Sequence, residues 1–315
     1  MNILVTGGAG FIASHIVDAY LKLGHRVSIV DNLSTGKKSN VNPGATFHEL
    51  DVRETGALAE IMQRDHFDVV NHHAAQIDVR RSVADPMYDA SVNIVGAVGL
   101  LEQCVKSGVK QFIFSSTGGA IYGEQDYFPA DEHHPTRPIS PYGVAKLSTE
   151  HYLLFYKVVY SLDYIVLRYG NVYGPRQNPE GEAGVVAIFI DRFLQGKQPV
   201  INGDGRQTRD YVYVGDVVRA NVLALSRQGS DVFNIGTGKE TDVNQVFTEL
   251  RRILGSAARE EHGPAKKGEQ LRSLLDARKA ADVLGWKPTV TIQDGLQYTV
   301  EHFKNEQQGR AGSVR

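Results

Sequence analysis

Apolar and polar positions alternate along the first half of the chain in two recurring patterns. Asn2–Thr6 is a short apolar run that stops at glycines. Phe11, Ile12, His15, Ile16, Ala19 and Leu23 then recur at helical spacing, and Gly24 closes that stretch. Arg26–Asp31 reads as a second buried strand. Ala45–Asp51, Phe67–Asn71, Gln111–Ser116 and Tyr164–Tyr169 continue the strand series, with helical stretches near 55–64, 89–107 and 141–160 between them. Strands separated by helices predict an α/β fold: a doubly wound parallel sheet of Rossmann type, covered on both faces and joined by right-handed connections.

The character changes after Gly174. A turn-rich stretch, GPRQNPEGEAG, precedes VVAIFIDRFLQG, which reads as a helix. Residues 1–174 are expected to form the dinucleotide-binding domain, and 175–303 a smaller mixed α/β substrate domain. Residues 211–236 repeat a strand–helix–strand pattern and are expected to return to the first sheet. The polar stretch 304–315 is expected to fray.

Composition adds exclusions. The 315 residues are 42% hydrophobic and 22% charged, with a net charge of -2. That is a soluble globular profile with no electrostatic reason to bind nucleic acid or an anionic membrane. No stretch reads as a signal peptide or a membrane span, so a cytoplasmic protein is expected. Cys104, the one cysteine, excludes a disulfide framework and a cysteine zinc site. Its surroundings, LLEQCVKSG, read as a helix interior. His72, His73, His133 and His134 lack metal-site spacing and are read as structural or exposed, with no metal expected.

Three motifs bear chemistry. Gly7-Gly8-Ala9-Gly10-Phe11-Ile12-Ala13 joins the first strand to a helix. Small residues there let the backbone approach a pyrophosphate at the helix N-terminus. Asp31 ends the next strand, where a carboxylate accepts from adenosine ribose hydroxyls and repels a 2′-phosphate. NAD is therefore favoured over NADP, with Lys37 and Lys38 lying several residues beyond. A turn or cap role for Asp31 is the competing reading. Tyr142 and Lys146 stand four apart after Ser140-Pro141, on one face of a helix that Pro141 would open. An ammonium beside a phenol favours the phenolate, which can act as a general base toward an alcohol. Finally, SSTGGAIYGE at 115–124 places Ser115, Ser116 and Thr117 at the carboxyl end of the fifth strand, where ligands bind in open α/β sheets.

TGGAGFIASH, DNLSTG, HHAAQ, SSTGGAIYGE, SPYGVAK, LRYGNVYGPRQ, GDGRQTRDYVYVGDV, FNIGTG and LDARKAADVLGWKP together span nearly the whole chain. In them the sequence resembles the extended short-chain dehydrogenase/reductase family, and within it nucleotide-sugar epimerases of the UDP-glucose 4-epimerase type. Ala13 departs from the glycine usual at its position. The resemblance implies an NAD-dependent enzyme that epimerises C4 of a UDP-hexose through a transient 4-keto sugar. It gives Tyr142 and Lys146 catalytic roles, with Thr117 or Ser116 as the partner hydroxyl. The extra glycine in Gly118-Gly119-Ala120 leaves that choice open, and Tyr122 becomes pocket wall.

For the cofactor, the resemblance implies Gly7, Gly10, Phe11, Ile12, Asp31, Asn32, Ser34, Thr35, Gly36, Asp51, Val52, Ala74, Ala75, Gln76, Asn93, Ser115 and Tyr169, besides Tyr142 and Lys146. For the nucleotide sugar it implies Thr117, Tyr142, Asn171, Arg209, Lys266, Arg272 and Ser273. A guanidinium at Arg209 suits a diphosphate, against a salt bridge to Asp210 or Asp216. Lys266 stands where many relatives have arginine, and Arg272 is its alternative. Small Ser273 implies room for an N-acetyl group at C2. A dehydratase or decarboxylase is disfavoured because Gly118-Gly119 lacks an acid. A uronic-acid epimerase and a non-catalytic NAD-binding regulator stay as alternatives. A homodimer is implied, with Leu147, Leu154 and Val158 either facing a partner or buried in the monomer.

Overall fold

The computed structural model describes residues 1–180, 184–265 and 270–312. The elements follow in chain order as β1 (Asn2–Thr6), α1 (Phe11–Lys22), β2 (Arg26–Asp31), β3 (Thr46–Glu49), α2 (Thr55–Asp65), β4 (Val69–His72), α3 (Val79–Ala84) and α4 (Pro86–Ala90). A π-helical segment, Ser91–Gly96, leads into α5 (Ala97–Lys106), β5 (Gln111–Thr117), α6 (Pro141–Tyr160) and β6 (Asp163–Tyr169). Then come β7 (Asn171–Tyr173), α7 (Val185–Leu194), β8 (Ile201–Asn202), β9 (Thr208–Tyr213), α8 (Val214–Ser226), β10 (Asp231–Ile235) and β11 (Glu240–Asp242). The chain closes with α9 (Val243–Leu254), β12 (His262–Gly263), α10 (Arg278–Leu284) and α11 (Ile292–Gly312).

Seven parallel strands form the main sheet in the order β10-β6-β5-β4-β1-β2-β3. Strand side chains alternate between its faces. Ile3 and Val5 enter one core with α1, α8 and α10, while Leu4 enters another with α2, α5 and α6. This two-faced burial is why β1 is apolar at nearly every position. The strand order reverses between β1 and β4, which places a crevice at their carboxyl ends.

The smaller region holds a three-stranded sheet, β11-β9-β7, and the pair β8–β12. Phe189, Ile190, Val246, Phe247, Leu296 and Val300 fill its core. Of residues 211–236, only β10 returns to the main sheet, parallel to β6. The strand before α8 instead pairs with β7 and β11, because Asn171–Tyr173 offers it a parallel edge just beyond the main sheet. The stretch from 304, expected to fray, instead continues α11 as far as Gly312. The i→i+4 pair His302–Glu306 lies across the expected boundary.

The expected helix at 89–107 is present as a continuous run from Pro86 to Lys106, α4 passing through the π-helical segment into α5. Leu147 packs against Ile121, Tyr122, Ala130 and Leu275, so it belongs to the monomer core. Leu154 and Val158 face outward, 51% and 74% exposed, with Phe155 and Val159 beside them. No helix among the described residues is long and apolar enough to cross a membrane.

Candidate active site

The glycine turn is shaped by close approach. Gly7 has φ +71°, and a Cβ there would lie 2.7 Å from the Ala74 nitrogen. Only glycine fits that conformation and that distance. Gly10 caps α1 without a side-chain hydrogen bond, so the first-turn N–H groups at Phe11 and Ile12 are not taken by a capping side chain. Ala13 is buried in the core that α1 shares with β1, so its methyl is accommodated.

Asp31 is buried at the end of β2. Its Oδ2 accepts from the Ala9 N–H at 2.9 Å and its Oδ1 from the Leu33 N–H at 2.8 Å. The carboxylate clasps the glycine turn to the next loop, and each oxygen keeps a lone pair for a ribose hydroxyl. Burial raises its pKa, opposed by those two N–H groups. A Cβ on Gly36 would lie 3.0 Å from both carboxylate oxygens, so this glycine keeps the approach to Asp31 narrow but open. Lys38 is turned away, 3.6 Å over the Phe47 ring. Asn32 donates to Asp51, whose carboxylate is forked by Arg53 and held well below the usual range. Asn32 Oδ1 accepts from the Ser34 N–H, and Ser34 and Thr35 are exposed. Val52, next to Asp51, is buried.

Across the crevice, Ala74 and Ala75 follow β4. The Ala74 N–H donates to Thr6 Oγ1, which also contacts His72 Nδ1 at 2.7 Å. Gln76 and Asn93 bond reciprocally: the Gln76 N–H donates to Asn93 Oδ1, and Asn93 Nδ2 donates to the Gln76 carbonyl, both at 2.8 Å. These side chains pin the loop after β4 to the π-helical segment. The Asn93 amide, expected at the cofactor, is bonded here to the Gln76 backbone and Asp89. The rings of His72 and His73 are both held neutral, His73 pushed down to about 3 chiefly by desolvation. His73 stacks on Tyr169, whose hydroxyl accepts from Asn221. Among the described residues, no His, Cys, Asp and Glu group is placed to hold a metal.

Helix α6 begins as the spacing predicts, with Ser140 accepting from the Gly143 N–H and Pro141 in the first turn. Tyr142 and Lys146 occupy consecutive turns. Lys146 Nζ donates to the Ser115 carbonyl at 2.8 Å and lies 5.9 Å from the Tyr142 ring centre. Desolvation pushes Lys146 down to about 8, while Asp89 and Glu150 pull it up. Thr117 Oγ1 accepts from the Ala120 N–H at 3.2 Å. A Cβ on Gly119 would sit 3.8 Å from both Thr117 Oγ1 and Asn171 Oδ1, so strand end, turn and β7 meet there.

Ser116 does not join them. Strand alternation turns it to the other face of β5, where its hydroxyl donates to Glu150 Oε1 at 2.5 Å. Its catalytic candidacy is withdrawn on that geometry. Gly118 is equally constrained: a Cβ would lie 2.5 Å from Leu275 Cδ1, within a buried contact. An acid at 118, as a dehydratase would need, has no room unless Leu275 moves.

A model of the NAD dependent epimerase/dehydratase family matches residues 3–236. The chain belongs to that family. It is similar to the UDP-glucose 4-epimerase of Thermotoga maritima, solved with UDP-glucose, at 52% identity and a TM-score of 0.96, covering 98% of this chain and 100% of that one. It is similar to the UDP-glucose 4-epimerase of Thermus thermophilus, solved with NAD, at 44% identity and a TM-score of 0.92, covering 96% and 99%. The UDP-N-acetylglucosamine 4-epimerase of Methanobrevibacter ruminantium, in complex with UDP-N-acetylmuramic acid, follows at 37% identity and a TM-score of 0.91, covering 97% and 98%.

For this epimerase/dehydratase family member the substrate end divides unevenly. Arg209 lies on β9 with its guanidinium donating to the Thr208 carbonyl. Asp210 and Asp216 point elsewhere. Asp210 accepts from Thr237, Gly238 and Leu275, and Asp216 from Thr289 and Val290 while pairing with Arg219. Arg272 is engaged by Glu240 and lies 3.8 Å over the Phe128 ring, which argues against a diphosphate contact. Ser273 is buried, its N–H donating to the Thr208 carbonyl next to Arg209. Lys266 lies outside the described residues.

Two acids escaped the sequence reading. Glu150, paired with Arg168 at 2.6 Å, continues the Tyr142–Lys146 face by one more turn, a spacing that could have found it. Arg168 also reaches Tyr122, whose hydroxyl donates to Asn234, tying the loop after β5 to α6, β6 and β10. Asp89 accepts from Gln76 and Asn93. No local motif marks it.

Proposed function

We propose that this protein is an NAD-dependent 4-epimerase of UDP-hexoses, interconverting UDP-glucose and UDP-galactose. The observations that support it best are Tyr142 and Lys146 on consecutive turns of α6, with Lys146 bonded to the Ser115 carbonyl, and Thr117 two residues further along β5 beside a glycine turn without an acid, in an NAD dependent epimerase/dehydratase chain. The glycine cradle at 7–10, the uncapped start of α1 and buried Asp31 fit the dinucleotide. When bound, the dinucleotide would supply a reversible hydride acceptor for oxidation and reduction at C4 of the sugar.

The chain's own residues handle the proton. Tyr142 takes it from the C4 hydroxyl as phenolate and gives it back. Lys146, held by Ser115, supplies the positive charge that stabilises the phenolate. Thr117 orients the C4 oxygen. Arg209 and Asn171 bind the diphosphate, and Tyr169 belongs to the cofactor side of the site. Incubation with UDP-galactose, followed by product analysis, tests the reading. UDP-glucose without net release of reduced cofactor is expected; unchanged UDP-galactose would refute it.

A second substrate pair, the UDP-N-acetylhexosamines, is favoured by small, buried Ser273 and by the Methanobrevibacter relative. The outward apolar row on α6, with Val95 exposed on the π-helical segment, supports a twofold helix-to-helix dimer.

A further inference from the structure

Helix α3 is hard to explain by packing. It spans six residues, too few to be stable on its own. Arg80, Arg81, Val83 and Ala84 are exposed, and its one buried side chain is a serine, Ser82. Apolar burial therefore contributes little to holding α3 in place. Ser82 lies against the start of α6. Its Oγ accepts from the Tyr142 N–H at 3.2 Å and donates to the Val79 carbonyl at 2.7 Å. A helix leaves its first N–H groups without an intrahelical partner. In α6, Pro141 has no N–H, Ser140 Oγ takes the Gly143 N–H, and the Ser140 carbonyl takes the Val144 N–H. The Tyr142 N–H instead leaves the helix, to a residue 60 positions earlier.

The other end of α3 is tied to the loop after β4. Asp78 caps the helix, accepting from the Arg80 and Arg81 N–H groups. Asp78 and Gln76 bond twice: the Asp78 N–H donates to Gln76 Oε1 at 2.7 Å, and Gln76 Nε2 donates to the Asp78 carbonyl at 2.8 Å. Gln76 is bonded in turn to Asn93, whose carbonyl accepts from Thr149 Oγ1 at 3.0 Å. Thr149 stands two turns past Tyr142 on the same face of α6. The path of bonds therefore leaves α6 at Tyr142 and rejoins it at Thr149, with the loop after β4 between them.

We propose that Ser82 is a positioning residue for Tyr142, anchoring the first turn of α6 to the loop after β4. Serine suits the task. It is small enough to be fully enclosed, and its hydroxyl accepts one bond while donating another. Alanine would leave the Tyr142 N–H without that acceptor and let the turn loosen. The proposal rests on the epimerase reading only for its catalytic consequence. A phenol that takes a proton from a sugar hydroxyl works over a narrow range of positions, so the anchor acts on the chemical step and not on nucleotide binding.

Amide hydrogen exchange in the protein with NAD bound reads the anchor directly, with the Val144 N–H of the same turn as reference. In Ser82→Ala the Tyr142 N–H should exchange roughly 10-fold faster or more, while Val144 stays within about threefold. Equal acceleration at both sites is what a general loss of stability gives; that result, or no change at Tyr142, would overturn the proposal. On UDP-galactose, kcat should fall by roughly 10-fold or more with KM within about threefold. An unchanged kcat, or a loss carried mainly by KM, would overturn the positioning role. If Ser82→Ala fails to fold, Asp78→Ala serves instead, because it uncaps α3 and leaves Ser82 in the chain. The same selective acceleration at Tyr142 is expected, and equal or absent acceleration counts against the anchor. Because exchange needs no turnover, a wild type without epimerase activity would refute the function while leaving the exchange rates to decide the role of Ser82.

Discussion

Ser116 Oγ donates to Glu150 Oε1 at 2.5 Å on one side of β5, while its neighbour Thr117 presents its hydroxyl to the Gly119 turn on the other. Two adjacent hydroxyls therefore take different tasks. Ser116→Ala should cost about 1–3 kcal/mol of stability, because a buried carboxylate loses a donor. Its kcat should stay within about threefold, since the serine hydroxyl is committed to Glu150. Thr117→Val should keep the fold and lower kcat by roughly 10²-fold. Urea denaturation with kinetics separates the two, and a reversed pattern would return Ser116 to the reacting face.

Lys146 gives a pH dependence with a definite sign. Burial holds it at about 8, so its charge is lost as pH rises through that value. Activity should decline above that midpoint, and Lys146→Met should remove that limb while lowering kcat by about 10²-fold or more. Stability runs the other way. The unfolded chain binds this proton more tightly than the native one, so burial of the ammonium costs most below the native midpoint, and the cost fades as pH climbs toward the ordinary lysine value. The gain in urea midpoint for Lys146→Met should shrink over the same window.

Ser273 is buried one residue from Arg272 and bonded through its N–H to Thr208, the residue before Arg209. Under the proposed reading Ser273 bounds the pocket at the sugar's C2 side, where a tyrosine would take up room. Ser273→Tyr should lower kcat/KM for UDP-N-acetylglucosamine by roughly 10-fold or more, with a smaller change for UDP-glucose. Equal losses on both sugars would remove Ser273 from specificity.

The outward row on α6 predicts assembly. Val158, 74% exposed, sits in line with Leu154 and Phe155. Val158→Glu combined with Leu154→Glu should shift the molar mass in light scattering from twice the chain mass to one, with the circular dichroism spectrum retained. A wild type that scatters as a monomer would refute the dimer.

Local patterns in the chain were enough to read the sheet, the glycine turn, Asp31 at the end of β2 and Tyr142–Lys146 on one helical face. Burial on both faces forces continuous apolar strands, and helical geometry brings positions four apart together. Glu150 was within reach of the same rule. Other features came from packing alone. Ser116 is taken up by Glu150 while Thr117 faces the Gly119 turn, because the packing of α6 against β5 sets which strand face meets that helix. Asp210 and Asp216 turn away from Arg209, since their donors arrive from residues 237, 238, 275, 289 and 290, far along the chain. Glu240 engages Arg272, and Arg168 of β6 forks Glu150 of α6. Contacts between residues distant in sequence leave no spacing to read, so the folded chain alone reveals which buried charges face each other.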